Sequence, residues 1–152
     1  MQRGSPSQDG EELEPGPVSE PLDRAATGVH AEPQTMADLM AGRRAAAAAY
    51  LRAISDHDPD DVPFARRCLR TENGLPTGFT AADLRFQLRH SPAYRIVRDV
   101  REVEITSIGD RVHAGFLLDS GIGPLRMAVR VSEWFWFDGG LITRISARIR
   151  RA

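Results

Sequence analysis

From Leu125 to Phe137 the odd-numbered residues are Leu125, Met127, Val129, Val131, Glu133, Phe135 and Phe137, so one carboxylate interrupts a row of large apolar side chains. Side chains alternate along a strand, and the row therefore reads as one face of a single long strand with Glu133 on the apolar side. Taking an ionised carboxylate out of water costs several kcal/mol unless it is paired or takes a proton, which makes Glu133 a candidate acid or base. The bland alternative is an edge position, or an ion pair with an Arg of the next strand. Asp138-Gly139-Gly140 then turns the chain into a last strand in which Leu141, Ile145 and Ile149 face one way, a hairpin signal.

The same periodicity places the other elements. Val112, Ala114, Phe116 and Leu118 form the apolar face of a strand over Arg111–Leu118, and Asp119 to Gly123 is a turn. Tyr94 to Ile108 is rich in β-branched residues but loses its alternation near Asp99, which predicts a bulge or a break between two strands. Upstream, Met36 to Ile54 is a run of good helix formers capped at Thr35, anchored by Leu39, Met40, Tyr50, Leu51 and Ile54, and ended by Asp56-His57-Asp58-Pro59. A Pro-punctuated stretch leads to a short strand, Cys68 to Glu72. Asn73-Gly74 opens a loop containing Pro76 and Gly78, and Thr80 caps a helix running to about Arg89. Residues 1–34, rich in Pro, Gly, Ser and acids, have no apolar periodicity and read as a disordered extension. The folded domain is then 35–152. Helices first and an antiparallel meander afterwards predict an α+β fold, with helices laid across one face of a curved sheet. Trp134 and Trp136 point away from Glu133, onto the outer face, where a subunit interface would cover them.

Composition narrows the function classes. With 152 residues, of which 41% are hydrophobic, the chain can bury one core. A formal net charge of -1 gives no general pull toward nucleic acid or an anionic membrane. The single cysteine, Cys68, excludes an internal disulfide and a multi-Cys metal site, and reads as a small buried hydrophobe. A basic region followed by an apolar run is missing from the N-terminus, and no segment approaches membrane-spanning length; the expectation is a cytoplasmic, soluble protein.

Three segments carry a family likeness: the helix end Ala48-Ala49-Tyr50-Leu51-Arg52-Ala53-Ile54-Ser55-Asp56-His57-Asp58, the stretch Leu69-Arg70-Thr71-Glu72-Asn73-Gly74, and the hairpin Phe137-Asp138-Gly139-Gly140-Leu141-Ile142-Thr143-Arg144-Ile145. In pattern and order the chain from Met36 onward resembles the NTF2-like superfamily, in its SnoaL-like and ketosteroid-isomerase-like branch. The resemblance implies a cone, a strongly bent sheet closed by helices around an apolar pocket, in a homodimer. In the isomerase branch a carboxylate removes a proton beside a carbonyl, while a tyrosine and a protonated acid hold the forming oxyanion; that acid is a known case of a carboxyl kept neutral by an apolar site. Laid onto this chain, the base falls on Glu72, the tyrosine on Tyr50 and the acid on Glu133. Phe64, Phe86, Phe116, Met127 and Phe135 are the expected pocket walls.

The implied function is a cofactor-independent isomerase or cyclase moving protons on a hydrophobic small molecule, of the kind found in polyketide and other natural-product pathways. A non-catalytic binding or dimerisation module of the same fold is the alternative. Glu72 could merely brace the Asn73-Gly74 turn, and Tyr50 could be a core tyrosine with a hydrogen-bonded tip. A protonated Glu133 requires that no Arg lie beside it, and alternation turns Arg126, Arg144 and Arg148 to the opposite face. Epoxide hydrolases of the superfamily use an Asp-Arg-Asp arrangement to activate water, and alternation picks out no comparable trio with an inward Arg here. Asp56-His57-Asp58 reads as a solvated helix end rather than a metal site, His90 as the close of a helix where its charge favours the dipole, and His113 as exposed or at the dimer surface, with a proton shuttle as the alternative. No metal and no cofactor are implied.

Overall fold

The computed structural model describes residues 32–152, so the extension expected over residues 1–34 falls almost wholly outside the described residues. Helix α1 (Met36–Asp56) begins at a capping box: the Thr35 hydroxyl accepts from the Asp38 N–H at 3.1 Å, and the Asp38 carboxylate accepts from the Thr35 N–H. It ends where His57 turns into the left-handed region at φ 59° and returns its N–H to the Ala53 carbonyl. The sheet holds β1 (Phe64–Glu72), β2 (Leu75–Thr80), β3 (Val97–Ile108), β4 (Arg111–Ile122), β5 (Leu125–Asp138) and β6 (Leu141–Arg151). Helices α2 (Ala81–His90) and α3 (Pro92–Arg95) lie between β2 and β3.

Strand order is β2-β1-β6-β5-β4-β3; β3 to β6 form the antiparallel meander, and β1 joins it in parallel beside β6. This is the α+β architecture that the periodicity predicts. Boundaries differ at the start of β1, which begins at Phe64 rather than at Cys68, and in three further places. The stretch with Pro76 and Gly78 is strand β2, hairpinned onto β1 through Asn73 and Gly74, both at positive φ. Tyr94 belongs to helix α3, and the break expected near Asp99 is a pair of register shifts in one continuous β3, with Glu102 at φ 54°. β4 runs through the predicted turn to Ile122, because the reversal is made by Gly123 at φ 57°.

The core lies between α1, α2 and the concave face of the sheet. Tyr50 is its centre, edge-on to Phe64 at 6.1 Å and to Phe135 at 5.6 Å. A buried Arg43 fastens α1 to two hairpin turns, donating from Nε to the Gly139 carbonyl at 2.9 Å and from Nη1 to the Asp110 carbonyl at 3.0 Å. Among the described residues no helix is long and apolar enough to cross a membrane.

Candidate active site

β5 carries Glu133 inward, as its alternation requires, and the side chain is 1% exposed. Ala114 of β4 and Ala147 of β6 flank it in register, and these small neighbours leave room above the carboxyl. A cavity of about 240 Å³ opens there. Its polar end is formed by Arg70, Glu72, Thr77, Gln87, Tyr94 and Glu133. Aliphatic residues such as Val97, Leu118, Val131 and Ile149 make the rest of the wall, which is the composition of a small-molecule pocket.

Arg70 organises the polar end, and the sequence reading missed it. Its guanidinium is buried and reaches four side-chain oxygens. Nε donates to the Tyr50 hydroxyl at 3.0 Å, and Nη1 donates to Glu72 Oε2 at 3.0 Å and to Thr77 Oγ1 at 2.9 Å. Nη2 stands 3.7 Å from Glu133 Oε1, an ion-pair contact too long for a hydrogen bond. The Tyr94 ring faces the same cation at 5.8 Å. The expectation that no Arg approaches Glu133 is therefore corrected, since the guanidinium comes from β1 rather than from β5 or β6. The signal was in the spacing: Arg70 and Glu72 are two residues apart on one strand, so an inward Glu72 requires an inward Arg70.

Electrostatics separates the two carboxyls. Burial pushes Glu133 up from 4.5 to about 7, with the Arg70 charge opposing that rise and the Glu72 charge adding to it. At neutral pH both of its protonation states are populated. One of its oxygens, Oε2, is buried without a hydrogen-bond partner. Glu72 sits at the rim, 38% exposed, and holds the guanidinium from the solvent side. Burial raises the phenols of Tyr50 and Tyr94, with the Arg70 charge pulling both the other way. For Arg70 burial acts to lower the guanidinium, but the surrounding phenols and carboxyls outweigh it and raise it, so it remains a cation.

The three residues expected to act together do converge, although Tyr50 does so from behind. Its hydroxyl is fully buried and accepts from Arg70 outside the cavity wall, so Tyr50 positions the guanidinium. Of the five expected wall residues, Phe116 lines the cavity. Phe64 and Phe135 are spent on packing around Tyr50. Met127 is 55% exposed because, among the described residues, no element covers the β4–β5 hairpin tip that also carries Ile122 and Leu125. Phe86 is 65% exposed on the outward side of α2. On the outer face of the sheet Trp136 lies between the Arg111 and Arg144 guanidinia, at 5.1 and 4.9 Å, and Trp134 stacks beside His113 at 4.8 Å.

A family model described as a domain of unknown function, DUF8021, matches residues 37–149, which is most of the chain and all of the site. The chain belongs to the DUF8021 family. No curated protein shows a significant similarity to it. Solved structures give the fold of this DUF8021 domain. An LEH-like epoxide hydrolase from M. tuberculosis is 22% identical, with a TM-score of 0.61 over 72% of this chain and 84% of that one. An NTF2-like protein from Anabaena variabilis is 7% identical, with a TM-score of 0.62 over 75% and 90%. A candidate SnoaL-like polyketide cyclase from Shewanella denitrificans is 13% identical, with a TM-score of 0.57 over 71% and 90%. The DUF8021 domain thus has the NTF2-like fold, with an N-terminal helix packed on a curved six-stranded sheet.

Proposed function

We propose that this DUF8021 protein is a cofactor-independent enzyme that moves protons on a hydrophobic small molecule held in the cavity beside Glu133, and so isomerises or cyclises it. One observation carries the reading: two carboxyls, Glu72 and Glu133, meet a single buried guanidinium at the polar end of an otherwise aliphatic cavity. Glu72, nearer solvent, takes the proton from carbon next to a carbonyl and returns it to another carbon of the same molecule to give an isomer, or to the new alkoxide once the carbanion has closed a ring onto a second carbonyl, so that no proton is gained or lost. The protonated form of Glu133 donates a hydrogen bond to the oxygen that becomes negative, and Arg70 supplies fixed positive charge at the same place. Tyr50 contributes by holding Arg70.

Addition of water to an epoxide is the second reading, favoured specifically by the acid–guanidinium–acid bridge and by the fold shared with an LEH-like epoxide hydrolase. There one carboxylate would accept a proton from the attacking water while the other, as the acid, delivers one to the ring oxygen, so that a diol forms and the proton count is unchanged. The half-buried Trp134 and Trp136 support a homodimer through the outer face of the sheet in either case.

One experiment separates these readings. Purified protein is incubated with fractionated small-molecule extracts in ordinary water, in heavy water and in water carrying heavy oxygen, and consumed compounds are followed by mass spectrometry. Isomerisation or cyclisation gives a product of unchanged mass that can pick up deuterium, whereas epoxide opening adds one water and carries its oxygen. Consumption should stop in Glu72→Gln and Glu133→Gln. A compound retained unaltered by the wild type and both variants would make the domain a binding module and refute the enzymatic reading.

A further inference from the structure

The interior cavity is not the largest hollow of the molecule. A cleft of about 1030 Å³ lies outside the cone, between the start of β1 and the outward side of α2, and four of its polar side chains are arginines. Arg66, Arg67, Arg85, Arg89 and His90 line it together with Phe86. We propose that this cleft binds a phosphorylated aromatic ligand of nucleotide type. The inference is independent of the proton-transfer reading, because none of these residues lines the interior cavity.

Three features of the cleft carry it. Neighbouring residues of a regular strand point to opposite faces, yet Arg66 and Arg67 both line the cleft. They can do so because the ladder is irregular there: the register shifts between Arg67 and Arg70 against β2 and between Phe64 and Leu69 against β6. On α2 the spacing of four places Arg85 above Arg89 and Phe86 above His90, so a row of guanidinia runs beside a row of rings. The Phe86 and His90 rings lie 5.0 Å apart, and Phe86 keeps 65% of its surface exposed, an open face on which a planar base can stack.

The charges are arranged for an anion rather than for each other. Among the described residues Arg66 and Arg67 have no carboxylate within ion-pair distance, and both are exposed. Arg85 is preset, lying over the Phe64 ring at 5.4 Å and donating from Nη2 to the Val62 carbonyl at 3.1 Å. Arg89 pairs with Asp60, whose chain neighbour Asp61 precedes the Val62 that holds Arg85, and Asp83 accepts from the Phe79 N–H at the start of α2. Of the four guanidinia lining the cleft, Arg89 alone pairs with a carboxylate among the described residues, which leaves three free for an anion, and the planar fork of Arg suits the paired oxygens of phosphate. Because the cleft is open to solvent, the attraction is screened by salt.

The test is calorimetric titration of the full chain with ADP, pyrophosphate and adenosine at low ionic strength. ADP should bind more tightly than either fragment, and its affinity should fall as salt is raised. The Arg66→Ala/Arg67→Ala double variant should weaken ADP and pyrophosphate alike by about tenfold or more, the scale of a lost charge-assisted contact. Phe86→Ala should weaken ADP by several-fold while leaving pyrophosphate unchanged. All of these side chains are exposed, so the variants keep the fold, which circular dichroism verifies. The inference is overturned if ADP does not bind, if the double variant binds it as the wild type does, or if pyrophosphate alone binds as tightly as ADP.

Discussion

Replacing Glu133 by Gln removes the one carboxyl that the fold keeps from water and leaves its shape in place. The carboxyl titrates near 4.5 in the unfolded chain and at about 7 in the folded one, so between those values the native state holds a proton that the unfolded state has lost. A group raised in this direction stabilises the fold fully below 4.5, and that contribution disappears as pH rises through about 7. The corresponding loss for the wild type is about 2.5 kcal/mol between about pH 5 and about pH 8. Glu133→Gln has no such group, so its stability should not share this part of the fall. Urea denaturation of both proteins across that range measures the difference, in which the remaining titrating groups largely cancel. The variant should come close to the wild type at the acid end and gain on it steadily toward the alkaline end. Parallel stability curves would refute the reasoning, since they would mean that Glu133 does not titrate in this window.

Other consequences follow from the same contacts. Arg70→Met should destabilise the protein least at acid pH, where Glu133 is neutral, and increasingly toward alkaline pH, where an ionised Glu133 has lost its partner and the cost approaches the about 3–5 kcal/mol scale for breaking a buried ion pair, as chemical denaturation across pH would show. Thr35→Ala, which removes the capping box of α1, should cost about 1 kcal/mol, readable from the helical signal in thermal melts. The Cys68 thiol, buried and pushed up to about 12, should resist a thiol reagent at pH 8 in the native protein and react once the chain is denatured, as colour release would report.

The long strands were legible because each has one buried face, so the alternation in β4, β5 and β6 fixes both the element and its inward side chains. Glu133 was legible for the same reason. β2 was not, because a Pro and a Gly within six residues imitate a loop, while the hairpin to β1 supplies the pairing that local sequence does not announce. Arg70 was hidden because a guanidinium beside Glu133 was sought on Glu133's own strand and the next one, at Arg126, Arg144 and Arg148, while Arg70 comes from β1. Its burial depends on four partners brought in from α1, β1, β2 and β5, and only one of them, Glu72, is near it on the same strand. The aromatic walls were misplaced because hydrophobicity predicts burial but not which side of a packed layer a ring fills. Phe64 and Phe135 serve the core around Tyr50, and the apolar wall of the cavity is left mainly to Val, Ile and Leu, with Phe116 the one expected ring that reaches it.

In this site a buried carboxyl shares one guanidinium with a second, more exposed carboxyl and titrates near neutrality. Carboxyl-carbon NMR of the labelled protein, with Glu133 assigned from the Glu133→Gln spectrum, measures this directly. The expected midpoint for the Glu133 carboxyl is about 7, moving higher still in Arg70→Met, where the opposing positive charge is gone. A midpoint near the ordinary 4.5, or one that ignores the loss of Arg70, would contradict it.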